Sequence, residues 1–545
     1  MLTRMHSVNP SSRKTGIGCV AVQLASRVQQ RLFVALLLGV LLSVTAGCDS
    51  DVPDALRFGL SAAPDNLDPR FATDAASTRV NRLLYSRLVD FDEHFQPQPS
   101  IADWERITPT HYRFTLRADR KPFHDGSSLT ARDVQATYRA VLDESTGSAH
   151  RGSLHMIDRV LAVNDDVVDF YLNAADLLFP GRLVIGIMPA ALLQSGHPFN
   201  EAPVGSGPFR FRSWPQPEQL RIERIADGAL VEFQRVQRPD VRVLKLLRGE
   251  LDVVQGDMPP ELIAWIGERQ RHASASSKAG SSPEQQTLVV KREGSTFAYL
   301  GFNLQDPVVG DLRVRRAIAY ALDRAAIIRH LWAGHAQPAG GILPPDHWAG
   351  MNGNFGLAHD PQRARELLHD AGYGPDNPLR IIFKTSTNAF RVRIATVIQA
   401  QLAEVGISMD VRTYDWGTFY GDIKGGNFQV YSLAWVGIKM PDIFRYVFHS
   451  ESMPPEGANR GRWQDAQVDS LIDRAERSGN LAEQAGLYRA VQKRALDQLP
   501  YVPLWYEDQV FIANTRLRGY RTSRDGDYDD LATATWRVGP ETQPR

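Results

Sequence analysis

Two cysteines, Cys19 and Cys48, stand on either side of an uncharged run, "LFVALLLGVLLSVTAG", from Leu32 to Gly47. A thiol placed directly after small residues at the end of an apolar stretch is a candidate for acylation. No cysteine follows Cys48, so the chain beyond it can form no internal disulfide in an oxidising compartment. Other covalent chemistries lack their residue patterns. There is no Gly-x-Ser-x-Gly elbow for a serine nucleophile and no His-Glu-x-x-His for zinc. Fourteen histidines are present. However, His330 and His335 lie five apart across Gly334, which is not one face of a helix, and His124 sits in a turn-forming "FHDG". No metal or other cofactor is expected, and an enzyme is not expected.

The segment before Cys48 explains its placement. Residues 1–47 carry Arg4, Arg13, Lys14, Arg27 and Arg31 and no acid. The sixteen-residue run that follows is short of the roughly 20 residues a membrane span needs and suits a signal h-region. Thr45-Ala46-Gly47-Cys48 resembles a bacterial lipobox, with Thr45 where Leu is usual. That resemblance implies cleavage before Cys48 and a diacylglycerol on its sulfur, placing the mature chain on the periplasmic side of the bacterial cell membrane. An uncleaved signal anchor is the alternative, and Asp49 suggests retention on the plasma membrane.

The 62 Lys and Arg equal the 62 Asp and Glu. Because the first 47 residues hold five bases and no acid, the rest is slightly acidic, and no nucleic-acid-binding face is expected. The mature chain alternates strand and helix signals, an α/β pattern. "HYRFTLRA" spaces Tyr112, Phe114 and Leu116 like a half-buried strand. Thr130 and Asp133 are spaced like a capping box, and Val80, Leu83, Leu84 and Leu88 mark a helix near the start. "DLRVRRAIAYALDRAAII" reads as one helix with Val314, Ile318, Leu322 and Ala325 on a stripe. Asp360, Pro361 and Gly372 read as the cap, first turn and stop of another. Ile394, Val397, Ile398 and Leu402 form a further stripe ended by Gly406. The polar run 273–286 reads as a mobile surface insertion.

Five segments in order then resemble one family, the large periplasmic solute-binding proteins of the dipeptide, oligopeptide and nickel group (family 5). They are Pro64 to Pro69, "FHDGSSLTARDV" at 123–134, "PVGSGPF" at 203–209, "VRRAIAYALDR" at 314–324, and Ala364 to Tyr373. The resemblance implies a hinged two-lobe α/β periplasmic-binding-protein fold of type II, in its large class. Residues 52–292 would form lobe one, with an extra subdomain at about 71–200, and 293–500 lobe two. Residues 501–545 would return to lobe one, with "PYVPLW" as the returning crossover.

The same resemblance implies a ligand cleft. Its candidate residues are Asn66, Phe302, Asn303, Trp416, Trp435, Gly437 and Asp442, with Cys48 as the lipid attachment point. Trp suits such a cleft because a flat apolar face comes with a hydrogen-bonding edge. Peptide-binding members carry an acid two or three residues after the equivalent of Trp435, where it holds the peptide ammonium. Here those places are Gly437 and Ile438, with Lys439 next, so Asp442 is either a displaced substitute or the N-cap of "IFRYVF". Lys384 and Arg391 flank the loop where some members place a carboxylate-binding Arg.

The expected function is a monomeric lipid-anchored receptor that delivers a peptide or peptide-like solute to ABC permease and ATPase subunits. The alternatives are a non-peptide solute with an anionic or neutral head, a metal chelate, or a sensory or chaperone receptor without an importer.

Overall fold

Two long strands, Thr287–Phe302 and Tyr501–Asn514, run antiparallel through the middle of an eleven-stranded sheet. The computed structural model describes residues 55–275, 287–351 and 358–536. Cys48 and the leader segment lie outside them, as does most of the polar run. Only the backbone of its first residues is seen, ending the helix Pro260–Ala275.

Both strands are rich in aromatic and β-branched residues, the composition that fits a pleated, two-sided core. The long helix Leu481–Gln498 stops before Pro500, which cannot continue it, and the chain leaves extended. Pro503 lies within the second strand at a register shift, between the pairs Ala298↔Trp505 and Tyr299↔Pro503. A proline that cannot donate to the ladder is tolerated at such a bulge. A second break falls between Arg292 and Thr296. There Gly294 passes so close to the Glu507 carbonyl that a Cβ would collide with it.

The strands flanking this pair fall into two sets. On one side Val430–Trp435, Leu379–Ser386 and Ile407–Tyr414 follow in order, the last two parallel. On the other come Val253–Gln255, Leu56–Leu60, Leu230–Arg235, Gln219–Arg224 and Phe209–Gln216. Each set has its own cores. Phe58, Phe209, Phe233 and Tyr528 pack together in the second set. Phe302, Ile318, Ile398 and Trp505 pack in the first, beside a second cluster around Tyr299, Phe444 and Tyr488.

A separate four-stranded antiparallel sheet, Ala102–Thr108, His111–Leu116, Val167–Leu172 and Ile157–Ala162, packs with the helix Ala131–Leu142. Tyr112, Phe114 and Leu116 are buried along its second strand, as the alternation predicts. The Asp133 carboxylate accepts from the Thr130 backbone N–H at 2.8 Å.

One helix differs from the expectation. The chain from Leu312 forms two helices, Leu312–Ala321 and Arg324–His330. Asp323 interrupts it because its carboxylate accepts from the Ala326 N–H at 2.8 Å, making a new N-cap. Ala325 is therefore exposed, and Ile327 and Ile328 carry the buried face instead. Among the described residues no helix is long and apolar enough to cross a membrane.

Candidate functional site

A cavity of about 720 Å³ opens where the strand Val430–Trp435 ends, within the roughly 300–1,000 Å³ range of small-molecule sites. The chain from Trp435 to Ile443 forms one wall. Gly437 turns it with a φ of +71°, a left-handed conformation that glycine adopts without steric cost. The facing wall comes from the helix Ala75–Leu84, from Phe91 and from Gly181 to Gly186, with Asp525 and Asp527 of the C-terminal segment beside it. The walls meet at Gly181, where a Cβ would sit 2.5 Å from Met440 Sδ. Ala72, Val184, Ile185, Val436, Ile438 and Ile443 make the lining largely apolar.

Trp435 is half-buried, and its ring is held from behind. Tyr299 lies parallel to it at 6.4 Å, Tyr446 meets it edge-on at 6.2 Å, and the Arg460 guanidinium stands 4.7 Å over its face. Arg460 is itself fixed by the hydroxyls of Tyr299 at 2.9 Å and Tyr420 at 3.1 Å. The Trp435 indole N–H has no hydrogen-bond partner among the described residues. A buried donor left unpaired costs about 1–3 kcal/mol.

Two ion clusters bridge the walls. In the first, Arg182 donates to Asp176 at 2.6 Å and to Asp442 at 2.7 Å. One guanidinium thus serves two carboxylates. Burial raises the Asp442 carboxyl above its ordinary range; Arg182 opposes this, while Asp176 and Glu476 add to it. In the second, the Lys439 ammonium contacts Asp525 and lies 3.4 Å from Asp527. Arg82 reaches Asp527 at 2.9 Å, Asp90 at 3.2 Å, and Asp529. Burial would lower the Lys439 pKa, but the two carboxylates outweigh it and raise it. Burial and the neighbouring Asp525 charge push Asp527 up to about 6.

Of the residues expected in the cleft, Trp435, Gly437 and Asp442 line this cavity. Asp442 is no side-chain N-cap. Its backbone is already helical before Ile443–Phe448, and its carboxylate is turned to Arg182 instead. The other four lie elsewhere. Phe302 is fully buried, paired with Val430 at the end of the ladder, and belongs to the core. The Asn303 amide donates to the carbonyls of Gly426 and Phe428, each at 3.2 Å, and so ties two loops. Asn66 closes a turn by accepting from the Asp68 N–H at 2.8 Å. Trp416 is 59% exposed at the start of a helix and stacks on Tyr420 at 5.5 Å.

Lys384 is paired with Asp422 at 2.7 Å and Arg391 with Glu507 at 2.8 Å, and neither lines the cavity. His124 holds the turn before Gly207 by a 3.1 Å contact to that carbonyl. Among the described residues no group of three or more His, Cys, Asp or Glu is arranged to hold a metal. Sequence reasoning missed Arg82, Arg182, Asp525 and Asp527 as site residues. The acid-rich "RDGDYDD" near the C-terminus was the available signal for the last two.

A sequence profile of the bacterial extracellular solute-binding proteins, family 5, middle region, matches residues 96–453. The chain belongs to this family. It is 27% identical over 517 residues to a probable di/tripeptide-binding protein 5 of Pseudomonas aeruginosa, covering 87% of this chain and 94% of that one. Two solved structures share its fold. NikZ of Campylobacter jejuni, in complex with Ni(L-His), superposes with a TM-score of 0.73 at 22% identity, covering 89% of this chain and 99% of that one. The oligopeptide-binding protein AppA of Bacillus subtilis, in complex with a nonapeptide, gives 0.71 at 22%, with the same coverage. The family 5 member thus has the α/β fold expected from its sequence, built around a large mixed sheet.

Proposed function

We propose that this family 5 member is a monomeric receptor, tethered by a lipid on Cys48, that encloses a short peptide or peptide-like solute against Trp435 and presents it to an ABC permease. One observation carries the reading: the 720 Å³ cavity combines apolar walls, the Trp435 ring and the Asp442 carboxylate. Asp442 shares one guanidinium with Asp176 and keeps 31% of its side chain exposed. It is therefore the acid best placed to accept a solute ammonium, which is costly to bury without a counter-charge.

The chain from Trp435 to Ile443 and the Gly181 segment are supplied by two different parts of the protein, so a solute between them favours the arrangement in which both touch it. Nothing in this process alters the solute chemically. Lobe boundaries near 292 and 500, a hinge at the two long strands and an extra subdomain from about 71 to 200 belong to the same reading. The break at Gly294 supports the hinge.

Native mass spectrometry of protein purified without denaturation, followed by calorimetry with di- and tripeptides, tests it. A retained or titrated peptide whose N-acetylated form binds at least tenfold more weakly is the expected result. A co-purifying solute without any amino group, with no peptide binding, overturns the peptide reading. Cys48→Ser is expected to release the protein from membranes with binding intact.

A further inference from the structure

A second cavity, of about 290 Å³, adjoins the first, and the two share Arg82, Phe91, Lys439, Asp525 and Asp527 in their walls. Their chemistry differs. Beyond the shared residues the larger one sets aliphatic side chains beside Arg79, Arg87, His150 and Asp442, whereas the smaller adds Asp90, Asp92, Glu93, Arg292, Arg524 and Asp529. Lys439 lines both, its side chain 20% exposed and its ammonium 5.6 Å from the centre of the Phe91 ring and held by Asp525 and Asp527.

We propose that Lys439 is a specificity-determining partition, which shuts the charged chamber off from a solute held against Trp435 and so limits the length of solute accepted. This rests on the proposed peptide-like ligand. The physical reason is that a solute extending past Phe91 must push the ammonium away from its two carboxylates, leaving charges unpaired in a largely buried site. The straight Lys stem supplies the bulk and the ion pair fixes its direction. Shortening the side chain to a methyl group joins the chambers, while an uncharged side chain of similar length still fills the gap.

The test compares wild type, Lys439→Ala and Lys439→Met by calorimetry with unblocked alanine peptides of two to five residues, together with a crystal structure of ligand-free Lys439→Ala. In Lys439→Ala the affinity for the longest peptide relative to the shortest is expected to rise at least tenfold over wild type, and the crystal to show one continuous cavity. Lys439→Met, which keeps the bulk but not the ion pair, is expected to relax the length limit less than Lys439→Ala does. An unchanged length preference in Lys439→Ala, an equal shift in Lys439→Met, or two separate cavities in the crystal overturns the partition. If no variant and no wild type binds any alanine peptide, the peptide reading fails and the crystal alone decides the partition. Should Lys439→Ala not fold, Lys439→Ala/Asp525→Asn removes the stranded carboxylate as well and is read in the same way.

Discussion

The two ion clusters that bridge the cavity are built alike and balanced differently. At Arg182 a single guanidinium is divided between Asp176 and Asp442, and one of those acids faces the cavity. At Lys439 the ammonium, Arg82 and Arg87 together meet Asp90, Asp525, Asp527 and Asp529. Both clusters hold more carboxylate than cation, but Asp442 keeps 31% of its side chain exposed and Asp525 and Asp527 only 10% each. An acid that still reaches the cavity is open to a cation from a solute, whereas acids enclosed by their own bases act as wall. Charge count at a site therefore says little until the pairing is known, because a buried pair and a buried lone charge differ by several kcal/mol.

The largest effect expected is that of Arg182→Gln. It leaves two carboxylates facing each other and should lower stability by about 3 kcal/mol at pH 8, measured by urea unfolding. The loss should shrink as the pH is lowered and the raised Asp442 carboxyl takes up a proton. A loss independent of pH would mean that packing, not charge, holds this bridge.

Lys439→Met comes next, at about 2 kcal/mol at pH 8. Asp527 already stands at about 6, above its usual value, so stability is lost as pH rises from the ordinary carboxyl range to about 6, with no further loss above. Without the ammonium this carboxyl stands higher still, so the variant should keep losing stability relative to wild type as pH rises above 6.

Asp508 is the control for both, a carboxylate with neither bridge. It lies on the long strand beside the Glu507 bulge and its side chain is 1% exposed. Lys291 at 3.8 Å is its ion partner, and its oxygens have no hydrogen-bond partner among the described residues. Burial pushes it up to about 6. Asp508→Asn should therefore stabilise the fold by about 1–2 kcal/mol at pH 8 and by nothing near pH 4, read as the difference between thermal unfolding midpoints.

The smallest effect on folding separates the two tryptophans. Trp435→Phe shrinks the ring that lines the cavity and removes a buried donor with no partner among the described residues. Solute affinity should fall about tenfold, or about 1.4 kcal/mol, with little change in the unfolding midpoint because losing the unpaired donor offsets the packing lost with the smaller ring. Trp416→Phe, on an exposed ring, should alter neither; an equal loss of binding in both would move the site.

Local structure was legible wherever neighbours in sequence decide it. The cap at Asp360, which accepts from the Arg363 N–H at 2.9 Å, and the stop at Gly372, with φ of +91°, lie where the residue types place them. The reading failed at Asp323 because a side chain that favours a cap also fits a helical stripe, and only the hydrogen bond to Ala326 distinguishes the two. The site was half legible. Trp435, Gly437 and Asp442 sit in one short stretch, but Arg82 meets Asp529 from 447 positions away. Phe302 shows the converse, since an aromatic residue beside a cleft motif turned into the core.

What the chain determined alone was composition, periodicity, caps and breakers, and from their order the α/β family to which it belongs. These follow from rules acting over a few residues: alternation, helical spacing, and the geometry of proline and glycine. Only tertiary structure decided which acid answers which base. That choice depends on distance and on exclusion of water, and both are properties of the assembled walls rather than of any segment.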